Sequence, residues 1–370
     1  MIENRRVMKT PKSIDVDITS RCNLHCKYCF HRTSPADTGR EISASEWTKF
    51  FEECGNAGVM TITIGGGEPF IKKDLPDIIR GIVANRMRFV LLSNGGLITP
   101  EIANFIASTG RCDYVQISID GSCAAVHDRF RGTGAFDGAI RGITILKEAG
   151  APVTSRITIH RYNLDDLENA VHLLLDEINM GVISTNSVSN QGLARENEEE
   201  VSLTPAETCI AMEKIIELAK LYNNRITATA GPLSQGREFQ EMERARLDGR
   251  TIPGRGFLSG CGCMWNKMAV RPDGTYVPCG MLSHIELGKI NQDRLLDIWQ
   301  NHPEFTRLRQ RYTIPLSKFP DCIDCGYQMV CTGNCPADGY SSTGDVYVPS
   351  PNGCLKKFLT DGGRIVSIPE

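Results

Sequence analysis

Thr19-Ser20-Arg21-Cys22-Asn23-Leu24-His25-Cys26-Lys27-Tyr28-Cys29-Phe30 spaces three cysteines as C-x3-C-x2-C directly behind Ile14-Asp15-Val16-Asp17-Ile18. The alternation of apolar and polar residues in the latter reads as a strand, so the cysteines occupy the loop that leaves it. Three thiolates at this spacing can hold three irons of a [4Fe–4S] cluster. The fourth iron is then left without a protein ligand and open to a substrate or cofactor. A zinc site would want a fourth ligand nearby, and only His25 or His31 offers one.

Outward from this run, strands and helices take turns. Ser43-Ala44-Ser45-Glu46 is a capping box that opens a helix through about Gly55. Val59–Ile64 reads as a strand and ends in Gly65-Gly66-Gly67-Glu68-Pro69, and a helix near Leu75–Ala84 leads to the strand Arg88–Leu92, which ends at Ser93-Asn94-Gly95. Thr99-Pro100 is an N-cap followed by proline at the first helical position. Asp113–Ile119 is the next strand, ending at Asp120-Gly121, followed by a helix over 135–149 and a strand at Val153–Ile159. A helix over 164–175, a strand near Val182–Ser184 and a helix from the Thr204 cap to about Tyr222 complete the series. Such alternation implies a parallel sheet with helices packed outside it. It leaves open whether the sheet closes into a barrel. In either case ligands bind where the strands end, which gathers Cys22–Cys29, Gly66–Glu68, Ser93-Asn94 and Ser118–Asp120 at one edge.

Composition narrows the class. The chain has 370 residues with 41% hydrophobic and 23% charged content and a net charge of −3. These values are ordinary for a globular protein and give no electrostatic case for nucleic acid or an anionic membrane. The first residues are basic but lack an apolar run, so they do not read as a secretory signal. There is no stretch of 18 apolar residues, which argues against a spanning helix. A cytoplasmic location is expected. Fifteen cysteines in such a chain point to metal or redox chemistry rather than disulfides. Cys54, Cys112, Cys123 and Cys209 are scattered and read as packing residues or idle thiols.

Residues 1–230 form the first expected unit, and 231–258 read as a connecting segment with a short helix around Arg237–Leu247. The acidic run Glu196–Glu200 reads as a solvated loop. From 259 to 370 the chain is short strands, turns and cysteines. Asn266–Val270 and Thr275–Val277 flank Arg271-Pro272-Asp273-Gly274 and read as a hairpin, followed by a helix over 292–311. Cys261, Cys263, Cys279, Cys322, Cys325, Cys331, Cys335 and Cys354 supply eight thiols, the number that ligates two [4Fe–4S] clusters completely. Two zinc ribbons are the alternative. Ribbons favour paired C-x2-C units, and only Cys322/Cys325 has that form.

At this point the sequence resembles the radical S-adenosylmethionine superfamily. The resemblance rests on C-x3-C-x2-C with an aromatic before its last cysteine and on Gly66-Gly67-Glu68-Pro69. The C-terminal field resembles the SPASM extension, with Gly274-x4-Cys279, then C-x2-C-x5-C-x3-C from Cys322 to Cys335, then Cys354. The resemblance implies an α/β fold, a partial (β/α)6 TIM-type barrel followed by a small cysteine-rich SPASM domain with a β-hairpin and two auxiliary clusters. It implies that Cys22, Cys26 and Cys29 hold a catalytic [4Fe–4S] cluster. S-adenosylmethionine would chelate its open iron, with Gly66, Gly67 and Glu68 near the amine and Ser93, Asn94 and Ser118 near the carboxylate or ribose. Cys279 and Cys335 would join Cys261 and Cys263 on the first auxiliary cluster, and Cys322, Cys325, Cys331 and Cys354 would hold the second. Cys261 and Cys263 are closer together than in relatives, so an open or alternative ligand at the first auxiliary cluster is also compatible.

The function so implied is a radical S-adenosylmethionine oxidoreductase. Cleavage of the sulfonium gives a 5′-deoxyadenosyl radical that removes hydrogen from a C–H bond, and auxiliary clusters that can take an electron from the product favour net oxidation. The leading expectation is cross-linking of a ribosomally made peptide. Oxidation or epimerisation of a sugar, aminocyclitol or other small molecule is the alternative. Gly280 stands after Cys279 where the sulfatase-maturing branch places an acidic residue, which disfavours that branch. Only 21 residues precede Cys22, so leader recognition is expected to use a separate protein or the sheet edge. An electron donor such as flavodoxin or ferredoxin is expected as a second partner. A non-catalytic electron carrier is disfavoured by the intact first motif.

Overall fold

The computed structural model describes residues 7–31 and 39–367. The first six residues of the basic start lie outside the described residues. The first half of the chain gives β1 (Ser13–Thr19), α1 (Ala44–Ala57), β2 (Thr61–Gly66), α2 (Leu75–Ala84), β3 (Arg88–Ser93), α3 (Pro100–Ser108), β4 (Cys112–Ser118), α4 (Ala124–Arg131), α5 (Ala135–Glu148), β5 (Val153–Ile159), α6 (Leu167–His172) and β6 (Ile183–Ser187). Then come α7 (Leu193–Glu196), α8 (Glu198–Val201), α9 (Pro205–Leu221), β7 (Ile226–Ala228) and α10 (Pro232–Leu247). The cysteine-rich remainder holds β8 (Lys267–Val270), β9 (Thr275–Val277), β10 (Gly288–Lys289), α11 (Leu295–Asn301), α12 (Pro303–Arg309), α13 (Pro320–Ile323), α14 (Pro336–Thr343) and α15 (Leu355–Thr360).

All ten strands form one sheet in the order β10-β9-β8-β1-β2-β3-β4-β5-β6-β7. Strands β1 to β7 are parallel and follow chain order. Right-handed crossovers in an unreversed order put every helix on the same face, which is the winding of a barrel wall rather than of a doubly wound sheet. The order has two ends, so the barrel is partial, as the resemblance implied.

The register separates two chemically different faces. Ile14, Val16, Ile62, Ile64, Phe89, Leu91, Val115, Ile117, Ile157 and Ile183 are aligned on one face and fully buried under the helices. The alternate residues are mostly polar: Asp15, Asp17, Thr61, Thr63, Gln116, Ser118, Arg156, Thr158, Ser184 and Asn186. Parallel strands buried against apolar layers on both sides would read as continuous hydrophobic runs. Here the second face is built for a polar occupant.

Helix starts follow local chemistry. Ser43 and Thr204 close full capping boxes with Glu46 and Glu207, and Thr99 caps α3 ahead of Pro100. Three expectations change. The helix expected over 292–311 is two helices, α11 and α12, broken at His302-Pro303, because proline lacks the N–H that would continue the ladder and pushes its predecessor to extended backbone. The short helix in the connecting segment begins earlier, at Pro232, and runs 16 residues. Glu196–Glu200 is not a loop: it spans α7 and α8, held against the Cys22–Cys29 loop by Leu193 N–H donating to Cys29 O at 3.0 Å and by the Lys27–Glu200 ion pair at 2.6 Å.

The C-terminal segment joins the same sheet. Strand β8 pairs in parallel with β1, residues 267–270 against 13–16, and β8 and β9 form the expected antiparallel hairpin. Among the described residues no helix is long and apolar enough to cross a membrane.

Candidate active site and cluster-binding cysteines

The loop after β1 is fastened to the end of β2 through backbone groups. Gly67 N–H donates to Thr19 O at 2.8 Å and Glu68 N–H to Arg21 O at 2.9 Å. This contact is so close that a Cβ on Gly67 would lie 2.1 Å from Arg21 O, and Gly66 has a φ of +116°. Only glycine fits such a turn. The chain enters Cys22 from this pinned segment.

Glu68 then ties β2 to β3. Its carboxylate accepts from Ser93 Oγ at 2.9 Å, Asn94 N–H at 2.8 Å and Phe70 N–H at 3.2 Å. Burial pushes its pKa up to about 7 against the lowering effect of those donors. Ser93 Oγ also accepts from Gly95 N–H at 2.9 Å. The Asn94 amide reaches forward to Asn23 Oδ1 at 2.8 Å and to Cys22 Sγ at 3.9 Å. Gly66, Gly67, Glu68, Ser93 and Asn94 thus form one hydrogen-bonded edge against the first cysteine. Ser118 stands two strands away, in register with Arg156 of β5.

The three thiols are half-buried and none of the fifteen cysteines is in a disulfide. Burial pushes the Cys26 thiol up to about 11, with Arg131 opposing, so binding iron there must displace a proton. The histidines of the zinc alternative turn elsewhere. His25 is exposed, and His31 Nδ1 lies 3.7 Å from Asp17 Oδ2 with its ring on Phe30.

Beneath the loop lies a buried charge cluster that the sequence reading did not identify. Asp120 is 1% exposed and accepts from Tyr28 Oη, Arg131 Nε and Thr158 N–H, while its own N–H donates to His127 Nδ1 at 3.0 Å. Burial alone would raise the Asp120 carboxyl, but Arg131 and His127 hold it down to about 2. Tyr28 is the aromatic residue inside the cysteine motif, and α4 returns Phe130 O to Lys27 N–H at 2.9 Å and Arg131 O to within 4.0 Å of Cys26 Sγ. His160, fully buried against Phe130 at 4.4 Å between ring centroids, leaves both ring nitrogens without a partner among the described residues. Arg156 Nε donates to Ser184 Oγ at 3.1 Å and carries its guanidinium on the polar face. An Asp-Gly at a strand end was the one available signal, since Arg131 and His160 are far from it in sequence.

The eight later cysteines fall into two sets. Cys263 is within hydrogen-bonding reach of Cys261 and Cys279, and Cys335 neighbours Cys261 and Cys279. Cys322 is acted on by Cys331, Cys325 and Cys354, and Cys331 by Cys354 and Cys325. The resemblance expects these same two groups of four as cluster ligands. The Cys261 and Cys263 sulfurs are 3.3 Å apart. Among the described residues no three His, Cys, Asp or Glu side chains close around a point suited to one metal ion, whereas a cuboidal cluster takes one thiolate per iron and spreads its ligands around a larger body. The residues present fit cluster binding.

Residues 16–174 match the family described as the radical SAM superfamily, and residues 261–326 match SPASM, an iron–sulfur cluster-binding domain. The chain is similar to an AdoMet-dependent heme synthase of Methanosarcina barkeri, 28% identical over 348 residues that span 92% of this chain and 95% of the relative. It is also similar to a PqqA peptide cyclase of Granulibacter bethesdensis, 26% identical over 359 residues, 93% of this chain and 87% of the relative. The fold is similar to that of Streptococcus suis SuiB bound to precursor peptide SuiA, with a TM-score of 0.72 at 16% identity over 94% of this chain and 76% of that one.

Proposed function

Because the chain belongs to the radical SAM superfamily and carries a SPASM domain, we propose that it is a peptide-modifying member, one that oxidises a peptide laid along the polar face of the sheet. As a radical SAM enzyme of the SPASM type it uses S-adenosylmethionine, a [4Fe–4S] cluster and auxiliary iron–sulfur clusters. On one-electron reduction these cofactors supply a 5′-deoxyadenosyl radical that removes a hydrogen atom from carbon.

The protein's part is to hold and orient. Cys22, Cys26 and Cys29 would carry the catalytic cluster, with Gly66, Gly67, Glu68, Ser93 and Asn94 forming the edge that receives S-adenosylmethionine. Glu68 spends its carboxylate on Ser93, Asn94 and Phe70, so its role is to fix that edge. Ser118 and Arg156 stand where a carboxylate could be met. The two groups of four cysteines would take an electron from the product.

The observation that carries the peptide reading is the polar face. Thr63, Gln116, Thr158 and Ser184 line it, and Asp15 Oδ1 and Asn186 Oδ1 are buried acceptors without partners among the described residues. Unpaired buried acceptors need donors, and backbone N–H groups of an extended peptide would supply them. The similarity to a peptide cyclase over most of the chain supports the same reading. The similarity to a heme synthase favours a second one, oxidation of a small molecule. A flat apolar macrocycle fits a polar wall less well.

Anaerobically reconstituted and reduced enzyme should release 5′-deoxyadenosine and lower the mass of a short peptide encoded beside it, by about two hydrogens per cross-link. If such peptides neither bind nor change mass while a porphyrin or sugar is oxidised in the same assay, the peptide reading is wrong.

A further inference from the structure

Arg311 follows α12 and is fully buried. The segment around it is clamped to the first auxiliary cysteines from several sides. Arg309 Nε donates to Met264 O at 2.8 Å, Tyr312 Oη to Gly260 O at 3.2 Å, and Leu258 N–H to Ile314 O at 2.9 Å. Leu308 packs in one apolar cluster with Cys263, Met264 and Leu282, against which Cys279 and Tyr347 also lie. Within this clamp Arg311 Nε donates to Ser259 O at 2.9 Å, two residues before Cys261.

The rest of the guanidinium is unaccounted for. Nη1 and Nη2 are buried and have no hydrogen-bond partner among the described residues, and no carboxylate there comes within ion-pair distance of them. An unpaired buried cation costs several kcal/mol, and burial accordingly lowers the Arg311 pKa. The groups whose charges push it back up are Cys335, Tyr347, Cys263 and Asp345, in that order. Two of the four are thiols of the first auxiliary set. The Tyr347 hydroxyl is likewise buried without a partner. Unspent buried donors thus belong to residues packed about the first auxiliary cysteines, and the anion that would use them there is a cluster carrying negative charge on its sulfurs.

We propose that Arg311 is the counter-cation and hydrogen-bond donor of the first auxiliary cluster and raises its reduction potential, making that cluster the better acceptor of the product electron. The inference rests on the reading of Cys261, Cys263, Cys279 and Cys335 as cluster ligands. Positive charge and N–H···S hydrogen bonds both favour the more negative, reduced state.

The test is a redox titration followed by electron paramagnetic resonance, on full-length protein whose Cys22, Cys26 and Cys29 are alanine so that only auxiliary clusters are read. With about eight irons bound, Arg311→Gln should lower one of two midpoints and leave the other unchanged. The expected shift is about tenfold in the reduced-to-oxidised ratio at fixed potential, or about 59 mV for one electron. Arg311→Lys, which keeps charge but loses the fork, should fall between. Unchanged midpoints at full iron content overturn the inference. If Arg311→Gln fails to hold a cluster, Arg311→Lys decides: a lowered midpoint supports the inference and an unshifted one overturns it. A parent protein with about four irons overturns the cluster assignment itself, and the inference with it.

Discussion

Gly67 has space for a hydrogen and nothing more. A methyl there would meet Arg21 O at 2.1 Å and Arg21 C at 2.6 Å, both backbone atoms that cannot turn away as a side chain can. Either the end of β2 or the segment entering Cys22 must move, and the Glu68 N–H to Arg21 O bond is lost with it. Gly67→Ala should therefore cost the catalytic cluster and spare the auxiliary ones, reducing bound iron from about twelve to about eight and abolishing 5′-deoxyadenosine release. Gly181→Ala is the control, since nothing lies within 4 Å of its added Cβ. Full iron content in Gly67→Ala would show that the loop reaches its cysteine geometry without this contact.

Helix α4 is eight residues long, short enough to escape a periodicity search, yet it supplies His127, Phe130 and Arg131 to the charge cluster under the cysteine loop. Burial and the Arg131 charge push the His127 pKa down to about 4 while Asp120 opposes. Its Nδ1 also accepts the Asp120 N–H, a bond that protonation would destroy. Unfolding returns the imidazole to an ordinary value near 6.5. Between pH 6.5 and 4 the unfolded chain thus binds more protons, so this contribution to stability is complete above pH 6.5 and is lost as pH falls toward 4. By pH 5.5 the loss from His127 is about 1.5 kcal/mol. His127→Gln, which keeps an acceptor but does not titrate, should show a smaller drop in urea midpoint between pH 7.5 and 5.5 than the parent; equal drops would place the proton uptake elsewhere. The same helix marks the limit of what the sequence discloses. Strands and long helices announced themselves through alternation and capping boxes, because those signals are local. Cys22, Cys26, Cys29 and Gly66-Gly67-Glu68 were legible for the same reason, since their chemistry is written in short spacings. Asp120 was placed at the strand-end edge but without its partners, and Arg131 and His160 were not seen, because a buried charge cluster is assembled from separate elements and each member alone looks like an ordinary polar residue. Glu196–Glu200 is solvated as read, with Glu196, Glu198 and Glu199 exposed, but its helical form was missed for a related cause: the partner Lys27 that holds Glu200 lies 173 positions away.

Across the whole molecule the cysteine-rich segment is continuous with the partial barrel. Strand β8 covers the edge of β1 through residues 267–270, and Met268, Val270 and Tyr276 share the principal apolar core with Trp47, Phe50 and Phe51. Polar ties reinforce this. Ile42 N–H donates to Pro272 O at 3.0 Å, Leu295 N–H to Glu53 Oε1 at 2.7 Å and Trp299 Nε1 to Met8 O at 2.8 Å. At the far end of the chain Phe358 of α15 packs on Phe239 of α10 at 5.2 Å between centroids, and Arg364 pairs with Glu213 of α9. Residues 1–230 and 259–370 are distinct in composition, but parting them would expose an unpaired strand edge and part of one core. We therefore expect them to unfold as one cooperative unit. In anaerobic thermal unfolding of the iron-loaded protein, loss of cluster absorbance and loss of far-ultraviolet circular dichroism should coincide. Because bound clusters stabilise only the folded state, stripping them should lower the single transition rather than split it. Two separated transitions, one tracking iron and one tracking helix, would mean that the β1–β8 pairing does not couple the two halves. In that case the catalytic loop and the auxiliary clusters would be held in register by something other than the shared sheet.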